Sequence, residues 1–182
     1  MAGLRARDCI VLVVDLQARL VPAIHDGQAL ARRCEMLARA ARLMGVPVMA
    51  TEHCAGRIGA TLPAVAGLVD RVLHKTHFDA TREPGFVASL PADRPSLLIV
   101  GTEAHVCVLQ TALGLEAAGL APVFVSDCVG SRRPSDREAA LRRAAFHGME
   151  TVTSEMAMFE WLESADHPRF RDVLALVKSA GG

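Results

Sequence analysis

Three residues of this sequence carry side chains that could act together on a carbonyl group. Asp15 follows the first apolar run, Lys75 ends the third and is one of only two lysines, and Cys107 follows the fourth. A carboxylate can take the thiol proton, and a nearby ammonium stabilises the thiolate that remains. The combination indicates a cysteine hydrolase that acts on an amide or ester carbonyl.

Each residue also has an ordinary structural interpretation. Cysteine is among the residue types most often buried, and Cys9 and Cys34 lie where core residues are expected. Asp15 could be a cap or a ligand-binding residue, and Lys75 could be a solvated strand end. Cys107 lies about where a helix should begin. Both a helix N-terminus and an ammonium lower the pKa of a thiol from its free value of ~8.5.

Apolar, β-branched runs alternate with helical patterns along the whole chain. The predicted strands span residues 9–14, 46–51, 71–75, 96–101, 122–127 and 150–153. They lack polar alternation, which indicates parallel strands buried on both faces. We therefore predict one domain over residues 1–182, a three-layer α/β/α sandwich, doubly wound around a six-stranded and mostly parallel sheet.

This architecture would bring the three candidate residues to one edge of the sheet. Ligands of such sheets bind beyond the carboxyl ends of the strands, where Asp15, Lys75 and Cys107 are all predicted to lie. If the first and third strands flank the second, they are ~9–10 Å apart. The Lys75 side chain must then lean across one strand to reach Asp15.

Composition and charge exclude several classes of function. The 182 residues carry 20 basic and 20 acidic side chains, so neither nucleic acid nor an acidic membrane surface is an expected partner. No apolar stretch reaches the ~18 residues of a membrane helix, and the N-terminus lacks a secretory signal. None of the five cysteines forms a C-x-x-C pair, and no nucleotide-binding glycine motif follows a strand. We expect a cytoplasmic protein.

Three segments resemble a known family. The stretches "VVDLQARLVPAI", "HKTHFDA" and "VGTEAHVCVLQTA" are similar, in order, to the aspartate, lysine and cysteine segments of the isochorismatase-like cysteine hydrolases. The resemblance covers nearly the whole chain. Segments such as "TEHCAGRIGATLPA" look most like the isochorismatase domain-containing subgroup, whose physiological substrate is generally unassigned.

The resemblance implies a role for each residue of the triad. Asp15 would be the base, Lys75 would stabilise the thiolate and the intermediate, and Cys107 would be the nucleophile that forms a thioester. The family also carries a non-proline cis peptide before the cysteine, by position Thr102–Glu103. It would aim the Glu103 N–H, together with the Cys107 N–H, at the oxyanion.

Further residues are candidates for the substrate pocket. By resemblance, Gln17 would orient Asp15 or the substrate, Phe78 would form an apolar wall, and Thr102 would shape the loop. His53 lies close to the predicted site and is either a pocket residue or a structural one. His105 stands where many relatives carry an acidic residue, and it either contacts the substrate or caps the helix.

Differences from the family pattern narrow the chemistry. Nicotinamidases of the family place an Asp and two His after the second strand to hold a metal, whereas this sequence has His53 with Glu52 and no second His. We therefore predict no metal and no other cofactor, and nicotinamide hydrolysis is disfavoured. True isochorismatases lack the nucleophilic cysteine, so Cys107 argues against vinyl-ether hydrolysis.

The expected partners are a small-molecule substrate and further copies of the chain. Met156, Met158, Phe159 and Trp161 crowd into one short helical segment, where some must face the sheet and the rest could cover a subunit contact. A homo-oligomer, a dimer or higher, is expected. The alternative to a hydrolase is a catalytically idle family member that serves as an oligomeric binding or assembly module.

Overall fold

Six strands form one sheet in the computed structural model, which describes residues 3–180 of the chain. The strands are β1 (Cys9–Val14), β2 (Val48–His53), β3 (Arg71–Lys75), β4 (Ser96–Thr102), β5 (Ala121–Gly130) and β6 (Glu150–Val152). They lie in the order β3-β2-β1-β4-β5-β6, and all five neighbouring pairs are parallel. The predicted doubly wound parallel sheet is confirmed.

Helices cover both faces of the sheet. They are α1 (Gly27–Leu43), α2 (Ala55–Ile58), α3 (Pro63–Ala66), α4 (Leu109–Ala117), α5 (Pro134–Phe146), α6 (Ser154–Leu162) and α7 (Phe170–Ala180). Short 3-10 turns span Ala6–Asp8, Val21–Ala23, Ala80–Arg82 and Val87–Ser89, and a π-helical turn spans Ala104–Val108. The core residues of α1, α6 and α7 join one hydrophobic cluster, and those of α4 and α5 join the other.

Strand β1 shows how the core is divided. All six of its residues are buried, and successive side chains of a strand point to opposite faces of the sheet. Val11 and Val13 accordingly pack under α1, and Ile10 and Leu12 pack in the cluster that contains α4. Full burial of each such side chain contributes about 1.5–3 kcal/mol, which anchors the strand end that positions Asp15.

The prediction that strands are buried on both faces was wrong for β3. Arg71 and Val72 are exposed, and Lys75 is the only fully buried residue of the strand. The reason is the strand order, which places β3 at an edge of the sheet with β2 as its single neighbour. An edge strand is commonly left partly open to water.

Some boundaries also differ from the prediction. Strand β2 continues to His53, two residues further than expected, and thereby carries this histidine to the strand end. Helix α5 begins at Pro134, so Ser135 and Asp136 lie in its first turn. Proline suits this position because its missing N–H would have no partner there. Within the described residues, no helix combines the length and the apolar character needed to cross a bilayer.

Candidate active site

The sheet brings Asp15 and Lys75 into direct contact. Strands β1 and β3 flank β2, and the Lys75 side chain leans across so that its Nζ lies 2.6 Å from Asp15 Oδ2. Both side chains are almost completely buried. The contact is a charge pair at close range. The Lys75 Nζ also donates long hydrogen bonds of 3.3 and 3.4 Å to the carbonyl oxygens of His77 and Phe78.

Neighbouring strand ends hold Asp15 in place. Its φ is +48°, a left-handed conformation that aspartate tolerates better than most residues. The Thr51 hydroxyl donates to Asp15 Oδ1 at 2.7 Å, and the Thr102 hydroxyl donates to the Asp15 carbonyl at 2.7 Å. A Cβ on Gly101 would lie 2.0 Å from the Val14 carbonyl oxygen, so only glycine lets β4 approach β1 this closely.

Cys107 completes the buried cluster. It lies in the π-helical turn Ala104–Val108, just before α4, and is 6% exposed. Its Sγ, a carboxylate oxygen of Asp15 and a ring nitrogen of His53 all lie within 4.8 Å of one another. The structure therefore brings the Asp15 carboxylate, the Lys75 ammonium and the Cys107 thiol together in one cluster.

The pKa of Cys107 differs from the sequence expectation. It is raised to about 12, chiefly because burial disfavours the thiolate and next because of the negative charge of Asp15. Lys75 opposes this effect and does not overcome it. The expected lowering was therefore wrong, because it counted the helix start and the ammonium and left out desolvation. Cys107 is a neutral thiol at physiological pH.

Gln17 is fully buried and acts on the backbone. Its Oε1 accepts a hydrogen bond from the His53 N–H at 2.9 Å, and its Nε2 donates to the carbonyl oxygens of His53 and Gly59. These contacts tie the end of β2 to the segment after β1. The amide thus fixes the position of His53, and none of these contacts involves the Asp15 carboxylate.

His53 and Phe78 form one wall of the site. Their rings are 5.3 Å apart between centroids and tilted by 31°, and Phe78 remains half exposed. The pKa of His53 is lowered, first by burial and then by the positive charge of Lys75. The imidazole is therefore neutral at physiological pH.

The segment before Cys107 contacts residues that follow β5. The Thr102–Glu103 peptide bond is cis, and the Glu103 carboxylate accepts a hydrogen bond of 2.6 Å from Arg132 Nε. His105 Nδ1 lies 3.0 Å from the Ser131 hydroxyl, and its Nε2 lies 3.9 Å from Asp136 Oδ2. The ring nitrogens of His105 thus face the connection that follows β5 and the first turn of α5.

Sequence reasoning missed several polar residues that support the site. Thr51 was detectable, because it ends the predicted second strand, and in the structure it lies opposite Val14, directly beside Asp15. Glu52 is buried and accepts hydrogen bonds from the N–H and the hydroxyl of Thr61. Glu83 accepts hydrogen bonds from the backbone N–H groups of Thr76 and His77, and these contacts lower the pKa of Glu83 to about 2. No local sequence pattern predicts the contacts of Glu52 and Glu83.

Comparison with known proteins places this chain in a family. The family model named Isochorismatase domain matches residues 9–156. "Isochorismatase domain-containing protein 1" of Salmo salar is 32% identical over 169 residues, which is 91% of this chain and 59% of that relative. The chain belongs to the isochorismatase domain family.

Solved structures of similar fold extend over nearly the whole isochorismatase domain. The structure described as "MAR1 Ribonuclease from Caenorhabditis elegans" superposes with a TM-score of 0.90 and 29% identity, covering 97% of this chain and 93% of that one. The YcaC gene product of Escherichia coli, described as an octameric hydrolase of unknown specificity, gives 0.86 and 21%. It covers 99% of this chain and 89% of its own, and at this identity it shows the fold alone.

Three side chains of the site are of types that could bind a metal ion. Asp15, His53 and Cys107 supply oxygen, nitrogen and sulfur donors within 4.8 Å, which are donor types that zinc accepts. This set differs from the Asp and two His of the nicotinamidases. Lys75 already places a positive charge 2.6 Å from the Asp15 carboxylate, and that charge would repel a divalent cation. The absence of a metal stays a prediction.

Proposed function

We propose that the protein is a cysteine hydrolase that cleaves a small amide or ester through a thioester on Cys107. The observation that carries the proposal is the buried Asp15–Lys75 pair at 2.6 Å, with the Cys107 Sγ within 4.8 Å of an Asp15 oxygen. A charge pair is costly to bury, and Asp15 and Lys75 lie at the strand ends where sheets of this type bind ligands. Family membership supports hydrolase chemistry in general.

Asp15 acts as the general base in this proposal. With its pKa raised to about 12, the Cys107 thiol is protonated when the substrate arrives. Asp15 takes that proton as Sγ attacks the carbonyl carbon, and the Lys75 ammonium stabilises the sulfur as it loses the proton. Asp15 then passes the proton to the leaving nitrogen or oxygen, the bond to it breaks, and the thioester remains.

Backbone N–H groups would stabilise the intermediate. The N–H groups of Glu103 and Cys107 are the proposed donors to the oxyanion, a role that preformed amide dipoles perform in many acyl-transfer enzymes. Water then attacks the thioester with Asp15 again as base, which releases the acid and restores the thiol. The three side chains supply base, charge and nucleophile, so the proposed reaction needs no cofactor.

The proposed substrate is small, and we favour C–N bond cleavage. Cys107 is 6% exposed, so only a small acyl group is expected to reach its sulfur. His53, Phe78 and Thr102 are the proposed pocket residues, and Gln17 acts through the position of His53. His105 stays a candidate for substrate contact.

The test is a hydrolysis screen with trapping of the acyl-enzyme. Purified protein is incubated with small primary amides, N-alkyl amides and esters, with RNA as a further substrate, and product formation is measured. A thioester adduct on Cys107 should appear by mass spectrometry, and Cys107→Ala should abolish both the adduct and turnover. Turnover that survives in Cys107→Ala would overturn the mechanism. A folded protein that hydrolyses nothing would favour the idle binding module.

Self-association and a cytoplasmic location form the remaining part of the proposal. Met158 and Trp161 of α6 are buried, whereas Met156 and Phe159 are 47% and 37% exposed, and Phe159 packs edge-on against Phe170. This exposed apolar surface supports a subunit contact, and Phe159→Glu should shift the mass measured by light scattering towards the monomer. All five cysteines are free thiols, as expected in the reducing cytoplasm.

A further inference from the structure

A separate cavity lies at the end of β5. It has a volume of about 270 Å³ and lies between the segment that leads into α1 and the first turn of α5. Two arginines line it, Arg33 of α1 and Arg137 of α5. None of its lining residues belongs to the buried cluster of Asp15, Lys75 and Cys107. Any ligand of this cavity would therefore occupy a site of its own.

Backbone carbonyl groups hold both guanidinium groups in the cavity wall. Arg33 Nε donates to the Asp127 carbonyl at 3.2 Å. Arg137 Nε donates to the Val129 carbonyl at 2.9 Å, and its Nη2 donates to the Ser126 carbonyl. Both arginine side chains are half-buried. A guanidinium group carries five N–H donors, so each of the two keeps donors beyond these contacts.

Neither guanidinium group is paired with a carboxylate of the described chain. Within residues 3–180, the arginines that form ion pairs are Arg7, Arg39, Arg42, Arg132, Arg142 and Arg169. Arg33 and Arg137 are not among them. A charge that is partly removed from water without a counter-charge costs free energy. An anion bound between these two arginines would offset that cost.

The two carboxylates of the cavity lining are engaged elsewhere. Asp127 accepts hydrogen bonds of 2.7 and 2.6 Å from the N–H and the hydroxyl of Ser154, the first residue of α6. The Asp26 side chain is 75% exposed and lies 3.4 Å from His25 Nδ1, and water and salt screen an exposed charge. The two guanidinium groups therefore dominate the electrostatic field inside the cavity.

We propose that this cavity binds a phosphate group between the guanidinium groups of Arg33 and Arg137. The planar fork of a guanidinium group matches the oxygen atoms of a phosphate or a carboxylate. Two positive charges favour a dianion, and a phosphate monoester carries a charge of about −1.5 to −2 near neutral pH, whereas a carboxylate carries only one negative charge. The ligand is free phosphate or a small phosphate ester, and its binding goes beyond the proposed hydrolase function.

Ser131 connects this phosphate site with the turn that carries Cys107. It lines the cavity and is 2% exposed. Its hydroxyl lies 3.0 Å from His105 Nδ1, and His105 precedes Cys107 by two residues in the π-helical turn. A bound phosphate would therefore lie one side chain away from that turn.

Isothermal titration calorimetry of the full-length protein tests the site. The probes are inorganic phosphate, methyl phosphate and acetate, each titrated at neutral pH in a chloride buffer. Two hydrogen bonds to charged groups correspond to a Kd of about 1 mM or below, so phosphate should bind in this range and acetate about tenfold more weakly. Binding of methyl phosphate as well would identify a phosphate ester as the ligand, and its exclusion would identify free phosphate. No saturable binding of either phosphate probe would overturn the inference.

Variants of the two arginines assign the binding to this cavity. Arg33→Met and Arg137→Met should each weaken phosphate binding by about tenfold, the effect of one hydrogen bond to a charged group. Arg39→Met is the matched control, because Arg39 lies on the exposed side of the same helix as Arg33 and pairs with Glu35. Equal phosphate affinity in Arg33→Met and Arg39→Met would place the ligand elsewhere and overturn the inference.

The outcome can be read independently of folding defects and of the hydrolase proposal. The wild-type titration needs no variant, and it stands even if Arg137→Met, which loses two backbone contacts, fails to fold. Hydrolysis plays no part in the calorimetry. Failure of the proposed function would appear instead as turnover that persists in Cys107→Ala.

Discussion

Cys107 and Cys128 are both buried thiols, and they lie in different surroundings on opposite faces of the sheet. Burial is the first cause of a raised pKa at each of them. Cys128 has the Cys34 thiol beside it, and Cys34 Sγ donates to the Cys128 carbonyl at 3.3 Å. Cys107 has a carboxylate and an ammonium instead.

The resting protonation state does not distinguish the proposed nucleophile from a thiol of the core. Both thiols are protonated at neutral pH, so a survey of thiol pKa values alone would not separate them. What separates them is the proton acceptor within reach of Cys107 and the cation that stabilises its thiolate. In the proposed mechanism the reactive state is created during the reaction, by transfer of the proton to Asp15.

Asp15→Asn has the largest expected effect, and it should move two measurements in opposite directions. Amide turnover should fall by about 10²–10⁴-fold, because the proton acceptor is lost. The pKa of Cys107 should fall, because a negative charge that raises it is removed and Lys75 remains. Alkylation of Cys107 by iodoacetamide at pH 8, followed by peptide mapping, should therefore become faster.

The same experiment contains its own control. Alkylation of Cys128 should be negligible in both the wild-type and the Asp15→Asn protein, because this thiol is fully buried on the other face. Turnover and Cys107 alkylation that decrease together would contradict the assignment of Asp15 as base. They would indicate instead that Asp15 mainly maintains the structure of the site.

Lys75→Met should destabilise the fold and slow the alkylation of Cys107. The Asp15 carboxylate would be left buried without its counter-charge, which lowers the free energy of unfolding by about 3–5 kcal/mol. The pKa of Cys107 should rise further, so its alkylation at pH 8 should slow. Urea denaturation and alkylation kinetics measure the two effects.

Arg39→Met is the matched control for a charge pair outside the site. Arg39 contacts Glu35 at 2.7 Å on the exposed side of α1, and such surface pairs contribute about 0.3–0.5 kcal/mol. Equal destabilisation by the two substitutions would show that the Asp15–Lys75 pair is no more than an ordinary surface contact.

Sequence patterns predicted the fold well because local signals carry it. The apolar runs of β1 and β4, and the helical stripe of α1, depend on neighbouring residues and repeat with a fixed period. The position of Lys75 at a strand end then followed from general rules of parallel sheets. The exposure of β3 did not follow, because it depends on the order of strands that are distant in the chain.

The electrostatics of the site could not be predicted from local patterns. The pKa of Cys107 depends on how completely other segments exclude water, and the sequence around it suggested the opposite direction. Gln17 binds the backbone of His53 across 36 positions of the chain, so no spacing rule points to that contact. Thr51 is the exception, because the register of β1 and β2 places it beside Asp15.

Thr51→Val should have an intermediate effect. Valine has the shape of threonine without the hydroxyl, so Asp15 Oδ1 would lose its donor at 2.7 Å. A buried acceptor left without a partner costs about 1–3 kcal/mol of unfolding free energy. Thr51→Ser keeps the hydroxyl and should recover most of the loss in a urea titration. Identical stability of the two variants would show that this hydrogen bond contributes nothing.

Cys34→Ala should have the smallest effect, and only on stability. Removal of this buried sulfur leaves a small cavity beside Cys128 and should lower the unfolding free energy by about 1 kcal/mol. Amide turnover and alkylation of Cys107 should stay within twofold of wild type, because the sheet separates the two clusters. Cys107→Ala should show the reverse, because turnover should be lost while the packing around Cys34 stays unchanged. A tenfold change in Cys107 alkylation in Cys34→Ala would show that the two faces of the sheet are coupled, so that the environment of the nucleophile extends beyond Asp15 and Lys75.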